Sequence, residues 1–114
     1  MKRYTKPKIK EADITKQIRD YLNYKNIFHW KQWQGSFSKP GISDIIGIYK
    51  GIPLFLEIKT PNGKLSKHQK EFLAEVNENG GLGVVLRYVE DCIYLVEGLF
   101  NGKDLSDLRE TLSG

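Results

Sequence analysis

Three observations predict an α/β fold whose sheet mixes antiparallel and parallel strands. Residues 44–59 (Asp-Ile-Ile-Gly-Ile-Tyr-Lys-Gly-Ile-Pro-Leu-Phe-Leu-Glu-Ile-Lys) are isoleucine-rich and break only at Lys50-Gly51, the pattern of two strands joined by a two-residue turn. Residues 10–25 carry Ile14, Ile18, Tyr21 and Leu22 at helical spacing. From Ile52 to Arg87 the chain reads strand, helix, strand, which predicts a right-handed crossover and a last strand parallel to the one before the helix.

The elements follow in order. Residues 1–9 are polar and basic and read as a flexible arm before a single domain over 10–114. The first helix is expected over 10–25. Glu11 lies three residues before Ile14 and seven before Ile18, which puts it on the apolar stripe, while Asp13 points away. The helix dipole alone favours an acid there, but it does not explain the apolar face. After Asn26, Ile-Phe-His-Trp-Lys-Gln-Trp-Gln reads as a first strand with its two tryptophans anchoring the core. Trp33, at the strand end, has packing against a sugar or base as its other reading. His29 reads as structural or exposed.

Gly35-Ser-Phe-Ser-Lys-Pro-Gly41 is a loop by composition and leads straight to Asp44. After the hairpin comes a second loop, Thr60 to Ser66. Ser66-Lys67-His68-Gln69 then matches a capping box, opening a helix to about Asn79 with Phe72, Leu73 and Val76 inward and Gly80-Gly81 closing it. Leu82–Arg87 is a short buried strand. Val89, Cys92, Ile93, Val96, Leu99 and Phe100 predict a helix, and Leu105, Leu108 and Leu112 a last short one that caps the domain or meets a partner.

The 114 residues suffice for one core, and no apolar run approaches a membrane span. With one cysteine, Cys92, the chain makes no intrachain disulfide and no cysteine-rich zinc site, which points to a reducing, cytoplasmic setting. The net charge of +4 is unevenly spread: residues 1–40 hold ten Lys/Arg against three acids, and residues 41–114 eight against eleven. A basic N-terminal third suits nucleic acid, or else a solubilising tail.

The hairpin brings chemistry. With Lys50-Gly51 as its loop, Tyr49 pairs with Ile52, and counting outward sets Asp44 opposite Glu57. Glu57 and Lys59 share a face with Phe55. Facing carboxylates among apolar side chains destabilise a sheet unless a cation compensates. Mg²⁺ takes one or two carboxylates and leaves room for water and phosphate oxygens. A neighbouring lysine can orient water or stabilise charge, so the set suggests metal-assisted phosphodiester hydrolysis. The plainer reading is a turn-capping Asp44 beside an exposed Glu57–Lys59 pair. Gln69 likewise has two readings, closing the capping box or reaching the reacting phosphate or its water.

The ordered set of Glu11, Gly41-Ile-Ser-Asp44, Glu57-Ile-Lys59 and Gln69, with Gly63-Lys64-Leu65-Ser66 before it, resembles the VRR-NUC family of the restriction-endonuclease-like (PD-(D/E)xK) nuclease superfamily. The likeness runs from about Lys10 to Val96 and is to the short stand-alone form of phages and bacteria, whose setting would be the cytoplasm of the cell or host. It implies a central mixed four-stranded sheet flanked by helices in αβββαβ order, with the C-terminal helices added. It also implies a metal, Mg²⁺ or Mn²⁺, on Asp44, Glu57 and the Ile58 carbonyl, with Lys59 catalytic and Glu11 and Gln69 matching the family's first-helix acid and its later glutamine. Two positions depart from the family pattern: Ser43 stands where proline is usual, and Gln34 where asparagine is frequent.

The expected activity is a structure-selective endodeoxyribonuclease that resolves four-way (Holliday) junctions as a homodimer. A less selective nickase or flap nuclease and a non-catalytic nucleic-acid-binding module are the alternatives. Lys8, Lys10, Lys31, Ser36, Ser38, Lys39 and Lys64 are the expected DNA contacts, with no membrane and no small-molecule cofactor.

Overall fold

A computed structural model of the chain describes residues 9–35 and 38–114. The basic arm, with Lys8, lies almost wholly outside the described residues, as does Ser36.

Helix α1 (Glu11–Tyr24) buries Ile14, Ile18 and Leu22, one per turn. It ends as its sequence dictates. Asn26 takes φ 57°, its N–H reaches the Asn23 carbonyl (3.1 Å) and the Ile27 N–H reaches Leu22 (2.9 Å), a Schellman closure that turns buried Ile27 into the core. Strands β1 (Phe28–Lys31), β2 (Ile45–Tyr49) and β3 (Ile52–Ile58) form an antiparallel meander. The β2–β3 turn has positive φ at both Lys50 (46°) and Gly51 (83°), matching the twist of the strands it joins. Tyr49 pairs with Ile52 and Ile45 with Leu56, so the expected register holds.

Helix α2 (Lys67–Glu78) carries the chain across to β4 (Leu82–Leu86), which pairs parallel to β3 and is buried throughout. Helices α3 (Val89–Phe100) and α4 (Leu105–Thr111) follow. The result is the expected mixed four-stranded sheet, in order β1-β2-β3-β4. One sheet face carries Ile45, Leu54, Leu56, Ile58, Leu82, Val84 and Leu86 into a cluster with α1 and α3. On the other face, α2 packs on β4 and sets Phe72 against Phe55 of β3, ring centroids 5.4 Å apart.

Several expectations are corrected. The tryptophans do not anchor the core: Trp30 is 40% and Trp33 71% exposed. β1 is a four-residue edge strand, and α2 covers only the β3–β4 half of the face onto which Trp30, Phe28 and Ile48 project. Ile27 takes the core position instead. In α3, Phe100 is exposed and Leu95 fills the stripe, because the helix meets the core along Cys92, Leu95, Val96 and Leu99. Leu108 and Leu112 join the core, and the Leu112 carbonyl accepts from Val85 N–H (2.8 Å), so α4 is integral to the β4 edge.

Candidate active site

The site forms where the β2 start, the β3 end and the starts of α1 and α2 converge. Extending the hairpin ladder one step beyond Ile45–Leu56 places Asp44 opposite Glu57. Glu57 is 1% exposed, while Asp44 is half-buried. Asp44 Oδ2 accepts from the Ile58 backbone N–H (2.8 Å), and Oδ1 accepts from Gln34 Nε2 (3.2 Å). Glu57 Oε1 accepts from Gln69 Nε2 (2.8 Å) and lies 4.0 Å from Lys59 Nζ, an ion-pair contact rather than a hydrogen bond. Glu57 Oε2 is buried and has no partner among the described residues.

Gln69 closes the capping box, the first of its two readings, and its remaining donor group goes to Glu57. Its backbone N–H and side-chain oxygen complete the capping box with Ser66, and its amide nitrogen holds Glu57. One helix start thus fixes one carboxylate. Glu11, the first residue of α1, is exposed rather than buried in the stripe. Its charge nevertheless acts on Asp44, Glu57 and Lys59, which puts it at the rim of the site.

The electrostatics follow from burial. Desolvation first, then the Asp44 charge, pushes the Glu57 carboxyl up to about 8, with Lys59 opposing. Burial also raises Asp44, against the pull of the Ile58 N–H and then of Lys59. Partial desolvation and then Asp44 raise Glu11, with Lys59 again opposing. Both carboxyls are thus pushed toward the protonated form, Glu57 by burial and by its facing acid.

The donor set fits a hard divalent cation. Glu57 Oε2 lacks a partner, Asp44 faces it, and both oxygens suit Mg²⁺ or Mn²⁺. Among the described residues, no three His, Cys, Asp or Glu side chains gather at a metal-binding distance, so water and backbone or phosphate oxygens would complete the shell. A Cys/His zinc site does not fit these residues.

Of the expected DNA contacts, the described ones lie at or near the surface. Lys10, Lys31, Lys39 and Lys64 are exposed, and Ser38 is half-buried, its Oγ bonded to Gly35 N–H and the Trp33 carbonyl. Ser43 is wholly buried and its hydroxyl lacks a partner among the described residues.

Two residues escaped the sequence reading. Gln34 donates to Asp44 and to the Ile42 carbonyl (3.0 Å), tying the Gly35–Gly41 loop to the carboxylate. Its position was visible only as a departure from the family pattern. Arg87 NH1 donates to the carbonyls of Thr60 (2.7 Å), Pro61 (3.3 Å) and Gly63 (2.6 Å), clamping the loop that follows Lys59. An arginine directly after a fully buried strand was the available signal, since such a charge needs local acceptors.

A mixed sheet with two facing acids and a nearby lysine at one end is the arrangement that the resemblance to restriction-endonuclease-like nucleases implies. The chain belongs to the VRR-NUC domain family, whose model matches residues 2–90. A solved structure of a VRR_NUC domain shares the fold with a TM-score of 0.65 at 21% identity, covering 76% of this chain and 94% of the other. The chain is also 37% identical over 67 residues to the Holliday junction resolvase RecU of Mycoplasmopsis pulmonis (strain UAB CTIP); the match covers 52% of this chain and 43% of that protein. Among the described residues, no helix is long and apolar enough to cross a membrane.

Proposed function

We propose that this protein is a Mg²⁺- or Mn²⁺-dependent endodeoxyribonuclease that cuts branched DNA, above all four-way junctions. Residues 10–114 act as one nuclease unit. The observation that carries the reading is the Asp44–Glu57 pair, held by Ile58, Gln34 and Gln69 with Lys59 beside it and one carboxylate oxygen left bare. The likeness to the RecU resolvase supports the choice of substrate.

Asp44, Glu57 and the Ile58 carbonyl would hold the cation. When bound, it supplies Lewis-acid stabilisation of the phosphate and an acidified water. Lys59 orients that water and offsets charge growing on the phosphate. Gln69 keeps Glu57 aimed at the cation, and Glu11 bounds the site on the α1 side. Lys10, Lys31, Ser38, Lys39 and Lys64 hold the phosphodiester backbone, with Lys8 and Ser36 assigned the same role from sequence. Symmetric cuts in two strands need two sites, which a two-fold homodimer supplies.

The test is cleavage of labelled four-way junction, flap, nicked and linear DNA of matched sequence, beside the Asp44→Asn variant. Paired cuts confined to the junction and absent from the variant are expected. Equal cutting of all four would leave a nickase or flap nuclease. Tight binding without cutting under either metal would leave a binding module.

A further inference from the structure

A polar groove of about 320 Å³ runs between the outer face of α1 and the β1 edge, lined by Thr15, Lys16, Arg19, Asp20, Asn23 and Lys31. Of this lining, only Lys31 is already among the proposed DNA contacts. We infer that this groove seats the sugar–phosphate backbone of a DNA arm leaving the reaction centre; the inference rests on the nuclease reading and adds a second contact surface to it.

Charge is the first ground. Lys16 pairs with Asp20 across one helical turn (2.7 Å), which cancels the groove's one acid. Arg19 and Lys31 remain, and neither forms an ion pair among the described residues. Arg19 is half-buried, and its Nε–H is sealed from solvent with no acceptor there. The terminal guanidinium nitrogens, which bond nothing among the described residues, are the donors a phosphate in the groove can reach, and its oxygens accept from such a fork. Thr15 and Asn23 add neutral donors that suit phosphate and sugar oxygens.

Continuity with the site is the second ground. Lys31 pairs with Ile45, the neighbour of Asp44, and the next residue, Gln32, bonds the Asp44 carbonyl through its N–H (2.8 Å). At its other wall, α1 begins with Glu11 at the site rim. From Thr15 to Asn23 the helix then climbs roughly 12 Å, room for more than one phosphate. A strand cut at Asp44–Glu57 thus has a polar, net-positive path along α1.

The test uses the full chain with Asp44→Asn to keep the DNA intact, and measures four-way-junction affinity over a salt series. Arg19→Glu and, separately, Lys16→Glu are each expected to weaken binding about tenfold and to lower the slope of log affinity against log salt by about 1. Lys103→Glu, on the α3–α4 turn, serves as the charge control and should change the slope little. Lys16 is exposed on α1 and outside the proposed site contacts, so its variant tests the groove even if Arg19→Glu impairs folding. Unchanged affinity in both variants, or a loss no larger than that of Lys103→Glu, would overturn the groove assignment. If the unsubstituted chain neither binds nor cuts junctions, the nuclease reading itself has failed.

Discussion

Replacing Glu57 with glutamine should stabilise the metal-free protein at alkaline pH while removing its activity. Burial raises the Glu57 carboxyl from an ordinary 4.5 to about 8. The Glu57 contribution to the metal-free fold is therefore fully present below pH 4.5 and is lost as pH rises to about 8, the window in which the unfolded chain has released a proton that the fold still holds. At about 1.4 kcal/mol per tenfold change in acidity, that rise sets a ceiling of about 5 kcal/mol. Coupling to Asp44 and relaxation of the site bring the expected loss to ~3 kcal/mol. Since the domain's whole stability is of order 10 kcal/mol, the loss is readily seen. For a chain of this size it corresponds to roughly 10–15 °C in Tm.

Glu57→Gln cannot ionise, and its amide can still accept from Gln69 and donate to Asp44. Thermal melts of both proteins in chelator, from pH 5 to pH 9, measure the difference. The wild-type Tm should fall across this range and the variant's should stay nearly flat. Saturating Mg²⁺ at pH 8 should raise the wild-type Tm and leave the variant's unchanged. Parallel curves in chelator would refute the reasoning, because they would mean that Glu57 carries no buried charge.

Other outcomes follow from the same geometry. Gln34→Leu frees Asp44 Oδ1 and should weaken Mn²⁺ binding in calorimetry about tenfold, with junction affinity nearly unchanged. Arg87→Ala leaves three carbonyls of the Thr60–Gly63 loop without their shared donor and should cost roughly 2–4 kcal/mol in urea denaturation. Gly41 has φ +77°, and an added Cβ would lie 2.2 Å from the His68 carbonyl oxygen, so Gly41→Ala should destabilise by at least ~2 kcal/mol in the same assay. Trp30→Ser, on the uncovered sheet face, should cost less than about 1 kcal/mol, whereas Leu56→Ala should cost roughly 2–5 kcal/mol.

What the sequence made legible was local. Lys50-Gly51 set the turn, the turn set the register, and the register placed Asp44 opposite Glu57 without any tertiary information. Ser66 and Gln69 announced their helix start in the same way. The covering of sheet faces was not local. Whether Trp30 meets core or solvent depends on where α2 lies, and α2 packs on β4 and touches β3 through Phe72 on Phe55. Gln34 reaches across ten residues to Asp44, and Arg87 across more than twenty to its loop. Gln69 looked like a choice between capping and a contact with the reacting phosphate, yet its oxygen closes the cap and its nitrogen bonds Glu57, because the helix starts beside that carboxylate.

The most direct test of the account is single-turnover cleavage of a labelled four-way junction by the wild type and by Lys59→Ala, at protein concentrations that saturate binding. Lys59 Nζ lies beside Glu57 at 4.0 Å with its side chain 16% exposed, so its truncation should slow cleavage at least ~100-fold and leave junction affinity within about threefold. Wild-type cleavage rates in Lys59→Ala would contradict the assignment of hydrolysis to this site.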